Sequence, residues 1–94
     1  MSGLKRVTAA TLDVVQFLRD ASEPVWGLLI VKALGRPTGT VYPILDRLES
    51  LGWVSSEWET QHEHPGPPRR LYVLTEVGRE NWAALQHARA PRDR

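Results

Sequence analysis

Residues 38–52 combine an apolar helix stripe with a polar face whose side chains could bind another molecule. Apolar residues recur at the spacing of one helix face, which predicts an amphipathic helix. The opposite face carries the hydroxyl groups of Thr40 and Tyr42, the ring of Pro43 and the guanidinium of Arg47. These groups suit base edges in a DNA groove, although a surface helix without a partner has the same periodicity. The rest of the chain decides between these two interpretations.

Size and composition exclude several classes of protein. A 94-residue chain makes one domain, and a domain of this size buries only about 60–65% of its unfolded surface. The chain has no cysteine, which excludes a disulfide framework and a thiol nucleophile. Its start does not resemble a signal peptide, and its most apolar run, residues 25–34, is too short to span a bilayer. We therefore expect a soluble cytoplasmic protein that does not bind membranes. A formal net charge of +1 gives no whole-chain argument for nucleic acid.

The first half of the chain predicts a helix-turn-helix. Apolar residues at helical spacing predict helices at about residues 8–20 and 26–34. Gly35 ends the second helix in the position that a C-terminal glycine usually takes. A short turn that contains this glycine then leads into the third helix, which is the helix-turn-helix arrangement.

The start of the third helix is constrained by a proline. Thr38 and Thr40 are both suitable caps, because a side-chain oxygen there accepts a hydrogen bond from an otherwise unpaired backbone N–H. Pro43 is tolerated only in the first turn, where its missing N–H would have had no partner. This favours a regular helix that starts nearer Thr40 than Thr38, or an irregular first turn, and the sequence leaves both open.

The second half of the chain predicts a β-hairpin followed by a helix. Period-two patterns within about residues 53–74 predict two strands around a polar loop rich in proline and glycine. Thr75 is placed to cap a last helix at about residues 76–90. The expected fold class is α+β and mainly α: a winged helix-turn-helix with a two-stranded wing and a C-terminal dimerisation helix. We assign residues 1–94 to this single domain.

Short motifs follow one another through residues 24–80. They are Gly39-Thr40-Val41-Tyr42-Pro43, Leu45, Arg47-Leu48-Glu49, Leu51-Gly52, Ser56-Glu57-Trp58-Glu59, Gly66, Arg69-Arg70, Tyr72, Leu74-Thr75-Glu76 and Gly78-Arg79. In order and spacing they resemble the signature of the PadR family of transcriptional regulators, which typically reads Gly-Thr-(Leu/Val)-Tyr-Pro followed by a Leu-x-x-Leu-Glu helix. The chain departs from the family at Trp26-Gly27-Leu28, where His-Gly-Tyr is common. It is similar to compact members, in which one terminal helix replaces a larger dimerisation domain.

The resemblance implies that the third helix enters the major groove of double-stranded DNA, and its polar face agrees with that role. The hairpin would supply a wing whose arginines contact phosphates, with alternation placing its two arginines on opposite faces. An alternative for Tyr42 is a packing role beside the second helix. Further candidates for the charged face are Lys5, Arg6 and Lys32. The predicted DNA-binding residues are Thr38, Thr40, Tyr42, Pro43, Arg47, Arg36, Arg69 and Arg70.

The first and last helices carry more apolar surface than the domain is expected to need. Leu12 and Val15 belong to a broad apolar sector of the first helix. Trp82 and Leu85 lie on the last helix, and we expect too few residues after that helix to cover them. The simplest burial is a two-fold contact, so we predict a homodimer with these four residues at the dimerisation surface. A small aromatic effector at this contact is a further hypothesis, although core packing is the commoner use of such residues.

Other chemistry is not predicted. His62 and His64 alternate in the polar loop, but no third strong ligand sits nearby in the sequence, so we predict no metal site. Either histidine could instead meet a phosphate. We find no nucleophile–base motif and no phosphate-cradling glycine loop, so we expect neither an enzyme nor a cofactor.

The sequence thus predicts a sequence-specific DNA-binding transcriptional regulator, and a repressor by analogy with PadR-like proteins. It would bind an inverted-repeat operator as a homodimer, with the third helix in the major groove and the wing on the backbone. The alternative is a winged-helix protein-interaction module without specific DNA binding, because the net charge is near neutral and acidic residues lie near the wing.

Overall fold

Four helices and a small sheet make up the fold. The computed structural model describes residues 7–89. The elements in chain order are α1 (Ala9–Asp20), β1 (Val25–Trp26), α2 (Gly27–Leu34), α3 (Thr38–Ser50), β2 (Val54–Trp58), β3 (Arg70–Leu74) and α4 (Glu76–Arg89). The predicted α+β, mainly helical winged-helix class is therefore confirmed. Within residues 7–89, no helix combines the length and the hydropathy that a membrane-spanning segment needs.

Side-chain and glycine caps set several helix ends where the sequence predicts them. The Thr8 hydroxyl accepts a hydrogen bond from the Thr11 N–H at 3.1 Å and caps α1. Gly35 ends α2 with a φ of 66°, a left-handed conformation that glycine adopts without steric cost. The Thr75 hydroxyl accepts from the Gly78 N–H at 3.0 Å and caps α4. Local chemistry therefore defines most of these boundaries.

The start of α3 corrects the prediction of a threonine cap. The helix begins at Thr38, its N-cap residue is Pro37, and no side chain caps it. The Pro37 carbonyl accepts hydrogen bonds from both the Thr40 N–H at 2.9 Å and the Val41 N–H at 3.1 Å. The first bond spans three residues and the second four, so the first turn mixes 3₁₀ and α geometry. The irregular first turn, rather than a start nearer Thr40, is the alternative that the structure shows.

Pro43 lies inside α3 rather than in its first turn. Its missing N–H leaves the carbonyl of Gly39, four residues earlier, without the usual donor from within the helix. A Cβ atom added at Gly39 would meet nothing within 4 Å. Packing within the described chain therefore does not require a glycine there.

The wing is a three-stranded antiparallel sheet, whereas the sequence predicts a two-stranded hairpin. The strand order is β1-β3-β2. Trp58 of β2 lies opposite Arg70 of β3, and Trp26 of β1 lies opposite Leu71. The sequence interpretation placed Trp26 in α2 because a strand of two residues is too short to show a period-two pattern.

One hydrophobic core joins the helices to the sheet, and Trp53, Ile30, Leu45 and Leu48 are completely buried in it. Gly78 lets the start of α4 approach this core closely, since a Cβ at Gly78 would collide with the Trp53 carbonyl oxygen. The core therefore fixes the orientation of α3 and of the helix that follows the wing.

The core also includes Trp82 and Leu85, which the sequence analysis expected the single chain to leave exposed. Trp82 and Leu85 are 4% and 6% exposed, and Val15 is 1% exposed, so the expectation that the single chain cannot cover Trp82 and Leu85 is wrong. Leu12 is partly buried against the same core. Val77, near the start of α4, is 47% exposed. A role for Leu12, Val15, Trp82 and Leu85 at a dimer contact stays a prediction.

Candidate nucleic-acid interface

The outer face of α3 carries the predicted base contacts. Val41, Leu45 and Leu48 are completely buried, and this stripe fixes which face of the helix points away from the core. Thr40 is half-buried at the edge of the outer face. The exposed residues of α3 are Thr38, Gly39, Tyr42, Pro43, Asp46, Arg47 and Ser50.

The predicted residues of α3 lie around two different depressions. Thr40, Pro43 and Arg47 line a shallow depression of about 280 Å³ between α3 and the start of α1. Tyr42 lies instead beside a larger groove that α2 and the wing enclose. The first turns of α3 therefore separate these two recesses.

Tyr42 packs on α2 and also reaches the surface. Its side chain is 38% exposed, and a Cβ atom at Gly27 would collide with its ring. The packing role that the sequence left open is thus part of the geometry. Because the ring remains more than one-third exposed, it is also accessible to a binding partner.

The larger groove, which we call the wing groove, has a volume of about 630 Å³. Aromatic rings offer apolar surface, while guanidinium and ammonium groups attract phosphates, so the lining suits a sugar–phosphate backbone. Its aromatic and cationic lining residues are Trp26, Tyr42, Trp58, Tyr72, Lys32, Arg69 and Arg70.

Arg69 lies at the wing groove with its guanidinium over an aromatic ring. Its guanidinium carbon lies 4.0 Å from the centre of the Trp26 ring. Within the part of the chain that the structure describes, no acidic side chain forms a salt bridge with Arg69. Stacking on an aromatic face restricts the position of a guanidinium while its N–H groups remain available to another acceptor.

Arg70 has a different environment. Its guanidinium lies 5.4 Å from the Trp58 ring centre and 3.7 Å from the Glu49 carboxylate. The Ser56 hydroxyl donates a hydrogen bond to the same Glu49 oxygen at 2.7 Å. Glu49 therefore links the wing to α3 and compensates part of the charge of Arg70.

The other predicted cations also separate into paired and unpaired groups. Arg36 donates through Nε and Nη2 to one carboxylate oxygen of Asp13, at 3.0 and 2.8 Å, which joins α1 to the turn before α3. Lys32 and Arg47 form no salt bridge with any residue that the structure describes. Lys5 and Arg6 lie outside the described residues.

The loop between β2 and β3 is closed by Glu59, whose proximity to the two histidines the sequence did not reveal. One Glu59 oxygen lies 2.7 Å from Nε2 of His64 and accepts the Arg69 N–H at 2.8 Å. Hydrogen bonds to the Pro65 carbonyl and to Glu59 raise the pKa of His64, and the bond with His64 lowers the pKa of Glu59. The Glu59 N–H also donates to the Arg69 carbonyl at 2.9 Å, so side-chain and backbone hydrogen bonds together close the tip of the wing.

Comparisons with known proteins agree with this arrangement. The profile of the "Transcriptional regulator PadR-like family" matches residues 14–84. A PadR family transcriptional regulator from Eggerthella lenta is 32% identical, with a TM-score of 0.65 over 80% of this chain and 69% of that chain. A PadR family regulator from Clostridium difficile shares the fold at 22% identity, with a TM-score of 0.72 over 86% of each chain. A search of curated proteins found no significant match.

A third structure shows the same fold in a longer protein. BpsR of Bordetella bronchiseptica, whose DNA binding is regulated by 6-hydroxynicotinic acid, has a TM-score of 0.71 and 23% identity. The likeness covers 86% of this chain and 54% of BpsR. The family profile spans most of the elements that form the interface, from α1 into α4. The chain belongs to the PadR-like family of transcriptional regulators, whose fold is that of a DNA-binding regulator.

Proposed function

We propose that the protein is a repressor that binds an inverted-repeat operator as a homodimer, with α3 in the major groove and the wing on the phosphate backbone. The observation that carries the proposal is that Tyr42 of α3 and Arg69 of the wing line the same open groove. A group that can read a base edge and a cation that can hold a phosphate are therefore presented on one side of the molecule.

The proposal gives the interface residues different roles. The N-terminal residues of α3 contact bases, as recognition helices in helix-turn-helix proteins do. Lys32, Arg47 and Arg69 form no salt bridge with a residue that the structure describes, and in this proposal they contact phosphates. Arg70 assists from its position beside Glu49. Arg36 holds α1 against the turn through Asp13 rather than binding a phosphate directly. The proposed base contacts are Thr38, Thr40, Tyr42 and Pro43.

Selection of bound sequences from a random pool of DNA duplexes tests this function. The purified protein is expected to enrich an inverted repeat whose half-sites lie about 34 Å, or one helical turn, apart. Enrichment of no sequence, together with binding that does not weaken as salt rises, would favour the protein-interaction alternative. Repression itself is tested by transcription in vitro from a promoter that carries the selected site, where added protein should reduce the transcript.

Replacing Arg69 with alanine is expected to weaken binding to specific and random DNA alike. The plot of log K against log salt should lose about one unit of slope, because one phosphate contact and its counterion release are removed. The measurement is fluorescence anisotropy of labelled duplexes at several salt concentrations. Since Glu49 already offsets the charge of Arg70, Arg70→Ala should change the slope less.

Arg79→Ala is the matched control for this series, because Arg79 is an exposed arginine on α4, away from the wing groove. It should leave both the affinity and the salt slope unchanged. A salt slope that is the same in Arg69→Ala and in the unmodified protein would show that the wing does not bind the backbone through Arg69.

The homodimer part of the proposal rests on the need for two copies of α3 and on the surface of α4. A single chain presents one α3, so an inverted repeat requires a second copy. On α4, exposed Val77, Ala84 and Ala88 recur at helical spacing beside the buried side chains of Trp82 and Leu85. In this proposal the exposed stripe meets the partner. The predicted residues Leu12, Val15, Trp82 and Leu85 support the contact from within the chain.

Placing a carboxylate in this stripe should separate the two copies. Ala84→Glu is expected to shift the sedimentation coefficient from dimer to monomer at micromolar concentration and to weaken operator binding, because the new charge would be buried without a partner. Ala83→Glu introduces the same charge at the neighbouring exposed position outside the stripe and should leave the dimer intact. A dimer that survives Ala84→Glu and dissociates with Ala83→Glu would place the contact elsewhere on α4.

In this proposal, the binding site for a small aromatic effector is the wing groove rather than the dimer contact. Trp82 is buried in the core, whereas Trp26 and Trp58 line the groove beside the proposed DNA contacts. The relation between BpsR and 6-hydroxynicotinic acid makes an effector reasonable for this fold. Release of bound DNA by aromatic acids, measured by anisotropy, tests the idea, and unchanged anisotropy at saturating acid would argue against it.

A further inference from the structure

The wing tip brings together three side chains of types that bind transition metals. Glu59, His62 and His64 each place one potential ligand atom within 4.8 Å of the others. The two imidazole rings stack with 4.0 Å between their centres and 20° between their planes. The Glu59 and His64 side chains are only 14% and 18% exposed, so the neighbouring loop already restricts them.

The Nδ1 atom of each imidazole ring already has a hydrogen-bond partner. Nδ1 of His62 lies 3.1 Å from the His64 carbonyl oxygen, and Nδ1 of His64 lies 2.9 Å from the Pro65 carbonyl oxygen. A carbonyl oxygen only accepts, so each Nδ1 carries a proton. Nε2 of His62 then carries the lone pair of a neutral ring, whereas Nε2 of His64 has a lone pair for a metal only after it gives up the proton that it donates to Glu59. Histidines that bind metals commonly donate their second nitrogen to a carbonyl or carboxylate in this way, which fixes the tautomer and the ring orientation.

We propose that Glu59, His62 and His64 bind one divalent transition-metal ion of the zinc class at the tip of the wing. Two imidazole nitrogens and one carboxylate oxygen form a donor set that suits Zn²⁺, with a fourth position open to water. Because a lone pair lies in the plane of its ring and the two rings stack nearly face to face, one ring has to rotate for both lone pairs to point at the same ion. In the structure, Nε2 of His64 donates to the Glu59 oxygen at 2.7 Å. The ion takes the place of the proton in that contact, because a metal and a proton compete for the same lone pairs.

The site is independent of the proposed DNA-binding function. None of its ligands is among the proposed base or phosphate contacts, and metal binding can be measured without DNA. The Glu59 oxygen that contacts His64 also accepts the backbone N–H of Arg69, so a bound ion would fix the loop on the side next to that arginine. The inference therefore stands or fails separately from the operator.

Calorimetric titration of Zn²⁺ into the chelator-treated full chain tests the proposal. We expect one ion per chain, and no measurable binding of Mg²⁺, which prefers oxygen ligands in octahedral geometry. His62→Ala should weaken Zn²⁺ binding by about tenfold or more, because it removes one ligand and leaves the Glu59–His64 contact in place. His87→Ala is the matched control, since His87 is an exposed histidine of α4 outside the cluster.

A second readout examines the coordination directly. Cobalt(II) should give the visible absorption bands of a tetrahedral site in the unmodified protein and in His87→Ala, but not in His64→Gln. Absence of Zn²⁺ binding by the unmodified chain would overturn the proposal. Equal affinities of the unmodified chain and His62→Ala, or loss of binding in His87→Ala, would also overturn it.

Discussion

Replacing Trp82 with alanine is expected to reduce the free energy of unfolding by about 3–5 kcal/mol. The side chain is 4% exposed and belongs to the single hydrophobic core, so its removal loses apolar burial and leaves a cavity. Domains of this kind have only about 5–15 kcal/mol of stability in total, so the variant should unfold at a clearly lower urea concentration than the unmodified protein. Urea denaturation followed by tryptophan fluorescence and circular dichroism measures the change.

The control for this experiment lies on the same helix. Gln86 is an exposed residue of α4 outside the stripe that meets the partner, and Gln86→Ala should change stability by no more than about 0.5 kcal/mol. If Trp82→Ala lost less than about 1 kcal/mol while the dimer dissociated, Trp82 would belong to the interface rather than to the core. The expected result is instead a loss of stability that persists in a chain made monomeric by Ala84→Glu.

Tyr42→Phe is expected to weaken binding to the best selected DNA site by about 1–3 kcal/mol and to affect random DNA much less. The substitution removes the phenolic hydroxyl that could reach a base edge, while the ring can still pack beside Gly27. The melting temperature should therefore stay nearly unchanged. Competition binding with the selected duplex and a random duplex measures the loss of specificity.

Gly27→Ala provides an independent test of the same contact. Its new Cβ would collide with the Tyr42 ring, and the ring, which is 38% exposed, can move outward more easily than the helix backbone. This variant should therefore lose specificity in the same way, although Gly27 itself carries no group that reads DNA. Equal losses on both duplexes would reject base reading by Tyr42, and a large fall in melting temperature with Tyr42→Phe would support the packing role.

Features set by local chemistry could be predicted from the sequence. Thr8 and Thr75 cap helices with their own hydroxyls, and Gly35 takes a left-handed conformation that few other residues accept. The apolar spacing in α3 defined its inner face, and Val41 and Leu45 are completely buried as that spacing requires. Each of these features depends on neighbours within a few residues along the chain.

Features set by distant partners could not be predicted. The pairing of Trp26 with Leu71 in β1 and β3 leaves no periodic signal in two residues. The burial of Trp82 depends on packing with residues from the rest of the core. Arg69 and Arg70 are identical neighbours in the sequence, and only Glu49, on another element, distinguishes their charges.

The residues of the candidate sites also differ in how well the sequence alone could predict them. Tyr42 and the wing arginines were assigned from residue types and from resemblance to the family, and the structure places them around one groove. The sequence left Glu59 out of the histidine cluster although it lies only five residues before His64, because an irregular loop has no fixed period that shows which of its side chains meet.

The first turn of α3 has a thermodynamic consequence for recognition. This turn has no side-chain cap, it contains Gly39, and Pro43 removes one of its helical hydrogen bonds. A glycine inside a helix alone costs about 1 kcal/mol relative to alanine. The turn should therefore open locally more often than the rest of α3 and exchange its amide protons faster. DNA binding would have to order this turn, so part of the interaction energy would offset the conformational entropy that the turn loses. The affinity would then depend on how strongly the contacts of a given DNA sequence stabilise the turn.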